Sequence, residues 1–229
     1  RTAVDDDMDL AWQRADKHGL FARTGIAAMS FNTVYQLYRR VRENDEQLAS
    51  AHTLLLMPDL LGYFFTGDKL TEFTNATTTN LLAADTASWD GETLRLLDIP
   101  ARIFTAIDFP GTLRSPLKTE LANELGLRNV RLAAVGTHDT ASAVAAIPGE
   151  GSFAFCSSGT WSLFGVETEK PMLTDAVFAA NFSNEGTVQG GFRPLKNIMG
   201  LWIIQECRRE WAAEGKAFSW DELVRLAKR

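Results

Sequence analysis

Val130-Arg131-Leu132-Ala133-Ala134-Val135-Gly136-Thr137-His138-Asp139-Thr140 runs from a short apolar stretch into turn residues, with small helix formers following from Ala141 to Ala146. That order reads as a strand, a loop and a helix, the unit from which α/β sheets are built. Downstream, Pro148, Gly149 and Gly151 form a breaker cluster and the expected domain boundary, near 148–151. Beyond it Ser152–Cys156 and Thr160–Val166 read as two strands joined at Ser157-Ser158-Gly159, a hairpin. Weaker strands are expected at Val177–Phe182 and Gly186–Phe192. A long helix follows from about Lys196 to Ala213, with Leu201, Ile204 and Trp211 along one side.

Upstream the chain reads as mostly helical. Val34, Leu37 and Val41 recur at helical spacing behind the cap candidates Ser30 and Asn32. Pro58 and Gly67 bracket a helix whose apolar face is Leu60, Leu61, Phe64 and Phe65. Helical turns are expected at Asn75–Leu82, Trp89–Leu97 and Pro116–Leu125, the last entered by Ser115 and closed by Gly126.

Composition narrows the function. With 23 Lys+Arg against 29 Asp+Glu, the net charge is −6 and no basic stripe offers itself to nucleic acid phosphates. The longest strictly aliphatic run, Leu54 to Met57, is far below the roughly 20 residues of a membrane span. Cys156 and Cys207 stand apart from each other and from any histidine, so neither a disulfide framework nor a zinc site is expected. Asp5, Asp6, Asp7 and Asp9 lack the glycine and terminal glutamate of a calcium loop and read as a solvated helix start. They also replace the basic and apolar regions of a targeting segment, and the expected location is the cytoplasm. His18 and His52 have no partner spacing and read as surface or core residues. The chain opens with Arg1 rather than Met and ends on Arg229 inside a helical pattern, so a piece of a longer polypeptide is expected.

Three places can carry chemistry. The Gly136–Thr140 loop lies where a strand ends and a helix begins, the edge at which open α/β sheets bind ligands. Asp139 there either caps the following helix or takes a proton from a substrate hydroxyl, with His138 and Thr140 serving neighbouring hydroxyls. Ser157-Ser158-Gly159-Thr160 is either a plain turn or a tip whose N–H groups and Thr hydroxyl hold phosphate oxygens. Asn197 is expected at the opening of the last helix, with Gln205 about 12 Å further along it and about 80° around. The two either border one cleft or are solvated neighbours.

In this order the pieces resemble the FGGY family of carbohydrate kinases, from about Tyr35 to Trp211, and within it the branch that acts on L-rhamnulose. Met57-Pro58-Asp59 through Gly67-Asp68 and on to Glu72-Phe73-Thr74-Asn75-Ala76-Thr77-Thr78-Thr79 resembles the family's first-domain segment, in a spelling typical of that branch. Gly136–Val144 resembles the catalytic segment and Ser157–Leu163 the second phosphate hairpin. Asn184-Glu185-Gly186 and Leu195–Trp202 complete the series.

The resemblance implies an α/β actin-like ATPase (ribonuclease H-like) fold of two domains. Residues 1–149 would be the later part of the sugar-binding N-terminal domain, and 150–229 the earlier part of the ATP-binding C-terminal domain. It implies ATP and Mg2+, with Asp139 as the general base acting on the C1 hydroxyl of L-rhamnulose. His138, Asp139, Thr140 and Asn197 would bind the ketose, while Thr160 and Gln205 would bind ATP. No protein metal ligand is implied. A fuculose or xylulose kinase, a sugar-binding module without turnover, and a folding or interface module are the alternatives. The family's opening Asp-x-Gly-Thr hairpin and its closing Gly-rich adenosine clasp do not occur in these 229 residues, so the isolated chain is expected to have little or no kinase activity.

Overall fold

The computed structural model describes residues 5–149 and 151–228. The first four residues of the expected helical region therefore lie outside it, as does Glu150 at the expected boundary. Four helices lead: α1 (Asp5–Arg14), α2 (Lys17–Thr24), α3 (Thr33–Arg42) and α4 (Glu46–Ser50). Asp16 and Asp45 cap α2 and α4 through backbone N–H groups of the first turns. Val34 and Leu37 are buried on α3 as their spacing predicts, and with Tyr35 and Tyr38 they belong to an apolar core that also takes in Met8, Leu20, Leu81 and Leu97. Asn32 holds the N-cap position of α3, but its side chain is used elsewhere: it accepts from Met29 N and donates to Thr78 O. Asp7 departs from the solvated reading. It is buried, and Arg42 donates to it at 2.7 Å.

Helix α5 (Met57–Thr66) starts with Pro58 in its first turn and stops at Gly67, whose φ of 86° suits a residue without Cβ. Its expected apolar face is the corrected one. Leu61, Phe64 and Phe65 are exposed, whereas Asp59 and Gly62 are buried. A charge pair decides this. Strand β1 (Leu70–Glu72) is followed by α6 (Phe73–Thr77), a hairpin of β2 (Leu82–Ala83) and β3 (Ser88–Trp89), α7 (Gly91–Leu96), a short 3-10 turn at Ala101–Ile103, and β4 (Ala106–Asp108), which pairs parallel with β1. Strand β5 (Leu113–Pro116) then carries Arg114 inward, where it donates to both oxygens of Asp108 at 2.8 Å and to Asp59 at 3.1 Å. Anchoring Asp59 turns the other side of α5 outward.

Pro116 also belongs to β5, so the helix expected from it, α8 (Thr119–Glu124), begins three residues later. Ser115 does not cap it; its N–H and hydroxyl both donate to Asp68 at 2.7 Å. Strand β6 (Arg131–Ala133) pairs antiparallel with β5, and α9 (Asp139–Ala145) follows the expected loop.

The second part is a four-stranded antiparallel sheet, in order β7 (Ala154–Ser158), β8 (Trp161–Val166), β10 (Phe192–Met199), β9 (Ser183–Gly186). The expected hairpin is β7–β8. Three other expectations are corrected. Val177–Phe182 is not a strand: Thr174 caps a helix there, α10 (Asp175–Ala179). Gly186–Phe192 is chiefly the turn between β9 and β10, with Thr187 N bonded to Gly191 O. Lys196–Met199 is strand, not helix, because each residue pairs with β8, and helix starts only at α11 (Trp202–Ala213). A last helix, α12 (Trp220–Ala227), opens with a capping box of Ser219 and Glu222. No helix among the described residues is long and apolar enough to cross a membrane.

Gly200 lets the end of β10 press on the β7–β8 tip. A Cβ there would lie 2.7 Å from both Gly159 O and Ser162 Oγ. Gly200→Ala is expected to cost about 1–3 kcal/mol of stability. Urea unfolding measures it, and a loss below about 0.5 kcal/mol contradicts the tight approach.

Candidate active site

The loop between β6 and α9 is held from beneath by a buried carboxylate. Glu72, at the end of β1, is fully inaccessible. Its Oε2 accepts from Thr137 N at 3.0 Å, Thr137 Oγ1 at 2.7 Å and Thr74 Oγ1 at 2.6 Å, while Oε1 accepts from Thr74 N at 2.8 Å. Thr74 Oγ1 in turn accepts from His138 N at 3.2 Å. These bonds tie the 72–75 segment to the 137–138 segment across more than sixty residues of sequence, and a carboxylate so surrounded by donors is well satisfied despite burial.

On this support Asp139 stands exposed as the first residue of α9, while Thr140 is buried behind it. His138, not Asp139, occupies the N-cap position. Among the described residues, Asp139 Oδ1 accepts only from the adjacent Thr140, N–H at 2.6 Å and hydroxyl at 3.3 Å.

A cleft of about 580 Å³ opens over this loop. His138, Asp139 and Thr140 line one side, and Gly159, Thr160 and Asn197 another. The hairpin tip is fastened by the chain entering α11: Gly159 O accepts from Leu201 N, and Thr160 O from Gly200 N and Trp202 N. Gly159 N–H is folded inward onto Trp161 O at 2.7 Å, so the expected row of N–H groups at the tip is already broken there. The Thr160 residue is exposed.

Five of the six site residues singled out by sequence thus meet in one cleft. Gln205 does not. It borders a separate cavity of about 340 Å³ with Arg208, Arg209 and Trp220, and Arg208 stacks over the Trp220 ring at 4.7 Å. The expected helical offset between Asn197 and Gln205 fails because Asn197 lies on strand β10, opposite Leu163.

Sequence reasoning passed over three residues at the cleft's edges and back. Asn75 and Glu185 line it. Arg193, on β10 opposite Glu185 on β9, is fully buried, and burial pulls its guanidinium below its ordinary value against the pull of Glu185, Glu167, Asp139 and Glu72. Asn75 and Glu185 sit inside strings with a recognisable spelling; Arg193 has no local signal at all.

Residues 7–146 match the N-terminal domain of the FGGY family of carbohydrate kinases and residues 154–228 its C-terminal domain. The rhamnulokinase of Enterococcus faecalis is 43% identical over 211 residues, covering 92% of this chain and 42% of that protein. The rhamnulokinase of Oceanobacillus iheyensis is 40% identical over 226 residues, covering 98% and 47%. The chain spans about half the length of the curated relatives it matches. Among solved structures, the xylulose kinase of Rhodospirillum rubrum superposes with a TM-score of 0.78 at 14% identity, over 92% of this chain and 43% of that one. Ligand-bound xylulose kinase from Lactobacillus acidophilus gives 0.76 at 17% identity, over 88% and 42%. At these identities the structural likeness establishes the fold, the two-domain α/β fold of actin-like ATPases.

Proposed function

The chain belongs to the FGGY family of carbohydrate kinases, and from that membership we propose that it is the part of an L-rhamnulose kinase that holds the ketose and the general base. The reaction is transfer of the γ-phosphoryl group of ATP to the C1 hydroxyl, giving L-rhamnulose 1-phosphate and ADP. The cytoplasm, where ATP is plentiful, is its proposed place. The observation that carries the reading is the meeting of an exposed Asp139 with His138, Thr140, Asn197 and Thr160 around one cleft. About 40% identity to rhamnulokinases directs the choice of ketose.

Each residue then has a task. Asp139 accepts the C1 proton as that oxygen forms its bond to phosphorus and the bond to ADP breaks. His138, Thr140 and Asn197 hold the sugar oxygens, and in-line positioning supplies most of the rate. Thr160 meets a phosphate oxygen. Gln205 is assigned to the same nucleotide, because it lies three residues, about 4.5 Å of helix rise, beyond the Trp202 N–H that binds Thr160 O. Magnesium bound to the nucleotide offsets charge on the phosphate oxygens. No group of three His, Cys, Asp or Glu side chains suited to a metal occurs among the described residues. We also propose residues 1–149 and 150–229 as the portions belonging to the sugar-binding and ATP-binding domains.

Calorimetric titration of this chain with L-rhamnulose, L-fuculose and D-xylulose tests the substrate. Binding is expected to be tightest for L-rhamnulose, by about tenfold or more, since a misplaced hydroxyl leaves site groups unpaired. Equal affinity for all three, or none for any, overturns the reading. No turnover is expected from these 229 residues alone, which match less than half of a rhamnulokinase.

A further inference from the structure

Arg193 is the least satisfied charged group at the back of the cleft. Its Nη2 donates to Glu185 Oε2 at 3.1 Å and lies 3.3 Å from Nδ1 of His138. Nε and Nη1 are buried without a hydrogen-bond partner among the described residues. A buried guanidinium with two idle nitrogens is expensive, and stability alone gives no reason to keep it.

Its effect on His138 follows from donor counting. A guanidinium carries five N–H donors and no acceptor, so the imidazole nitrogen facing it must present a lone pair. In the neutral ring the proton then sits on Nε2. The competing arrangement, Nδ1–H directed at Glu185, would have to span 3.7 Å, which is beyond hydrogen-bond range. His138 lines the cleft with 21% of its side chain exposed, and with Nδ1 committed to Arg193, Nε2 is the nitrogen left for a ligand.

We propose that Arg193 is a positioning residue that holds His138 as its Nε2–H tautomer. His138 thereby meets a ligand oxygen as a hydrogen-bond donor and is removed as a rival base beside Asp139. That the oxygen belongs to a ketose rests on the proposed kinase function; the tautomer does not.

Nitrogen NMR of the chain labelled with 15N-histidine tests this, at about pH 8, above the ordinary histidine range. The sequence has three histidines, and His18→Asn and His52→Asn variants assign the remaining signal. For His138 the expected spectrum has an unprotonated Nδ1 and a protonated Nε2. Arg193→Met is expected to lose this single tautomer, Arg193→Lys to retain it through its remaining N–H donors, and Glu185→Gln to leave it in place. A protonated Nδ1 in the unaltered chain overturns the proposal, as does an unchanged tautomer in folded Arg193→Met. If Arg193→Met does not fold, the unaltered chain and Glu185→Gln still decide, because a tautomer that switches in Glu185→Gln assigns control to Glu185 instead. Addition of L-rhamnulose should shift the Nε2–H signal. The expected tautomer with no response to sugar upholds the role of Arg193 and counts against the ketose.

Discussion

Asp139→Asn is expected to lower kcat about 10²–10⁴-fold, with KM for sugar and ATP nearly unchanged, in a polypeptide that joins this chain to the remainder of the family's length. The amide matches the carboxylate in size, and its Oδ1 can still accept from Thr140 N–H, now at 2.6 Å. What is lost is the ability to receive the proton of the attacking hydroxyl. The other reading of Asp139, as a helix cap, makes an opposite forecast: about 1 kcal/mol less stability and little change in rate. The geometry already weighs against capping, since His138 holds the N-cap position and Asp139 Oδ1 accepts from its immediate neighbour Thr140. Steady-state kinetics and thermal unfolding of the same variant separate the two, and unchanged turnover removes Asp139 as the base.

The second large effect concerns the charge cluster under α5. Arg114→Met is expected to destabilise the chain by about 3–5 kcal/mol, because it leaves Asp59 and Asp108 buried without their shared cation. In a chain of this size that corresponds to about 6–20 °C in Tm. Hydrogen bonds and charge from the two acids hold the Arg114 guanidinium well above its ordinary value, chiefly through Asp108, so it remains a cation throughout the accessible range. Burial pushes the Asp59 carboxyl up to about 6, against the opposing pull of Arg114.

The sign of the pH effect follows. A carboxyl whose folded pKa exceeds its unfolded one binds its proton more tightly in the folded state, so its contribution is fully present below about 3.9 and is lost as pH rises through about 6. The deficit of Arg114→Met should therefore be larger at pH 7.5 than at pH 5. Asp59→Asn should flatten the slope and, above pH 6, stabilise by about 1–3 kcal/mol. Denaturant unfolding of the three proteins at both pH values measures this. A loss in Arg114→Met of under about 1 kcal/mol, or one equal at both pH values, contradicts the account.

Much of the site is legible in the amino-acid order alone. The strand, loop and helix around Gly136–Thr140 and the β7–β8 hairpin are written in local periodicity and punctuation, which act over a few residues and therefore survive in one dimension. The same holds for α5, set by Pro58 and Gly67. The departures share a cause. Lys196–Met199 carries no strong preference and became strand because β8 offered it a row of hydrogen-bond partners. The buried face of α5 departs from its apolar pattern because Asp59 is drawn inward by Arg114, a partner fifty-five residues away that hydrophobicity along the helix does not register.

The amino-acid order thus made the elements around the site approximately legible, its strings carried the resemblance to the family, and five of the six side chains singled out from it line one cleft. Only the folded arrangement decided that Glu72 underpins the 137–138 segment, that Arg193 faces His138, and that Gln205 stands apart from the rest. A turn or a helix stop depends on the conformations open to one residue. A buried charge depends on whichever distant donor or acceptor the tertiary packing brings within about 3 Å, and no local pattern encodes that meeting.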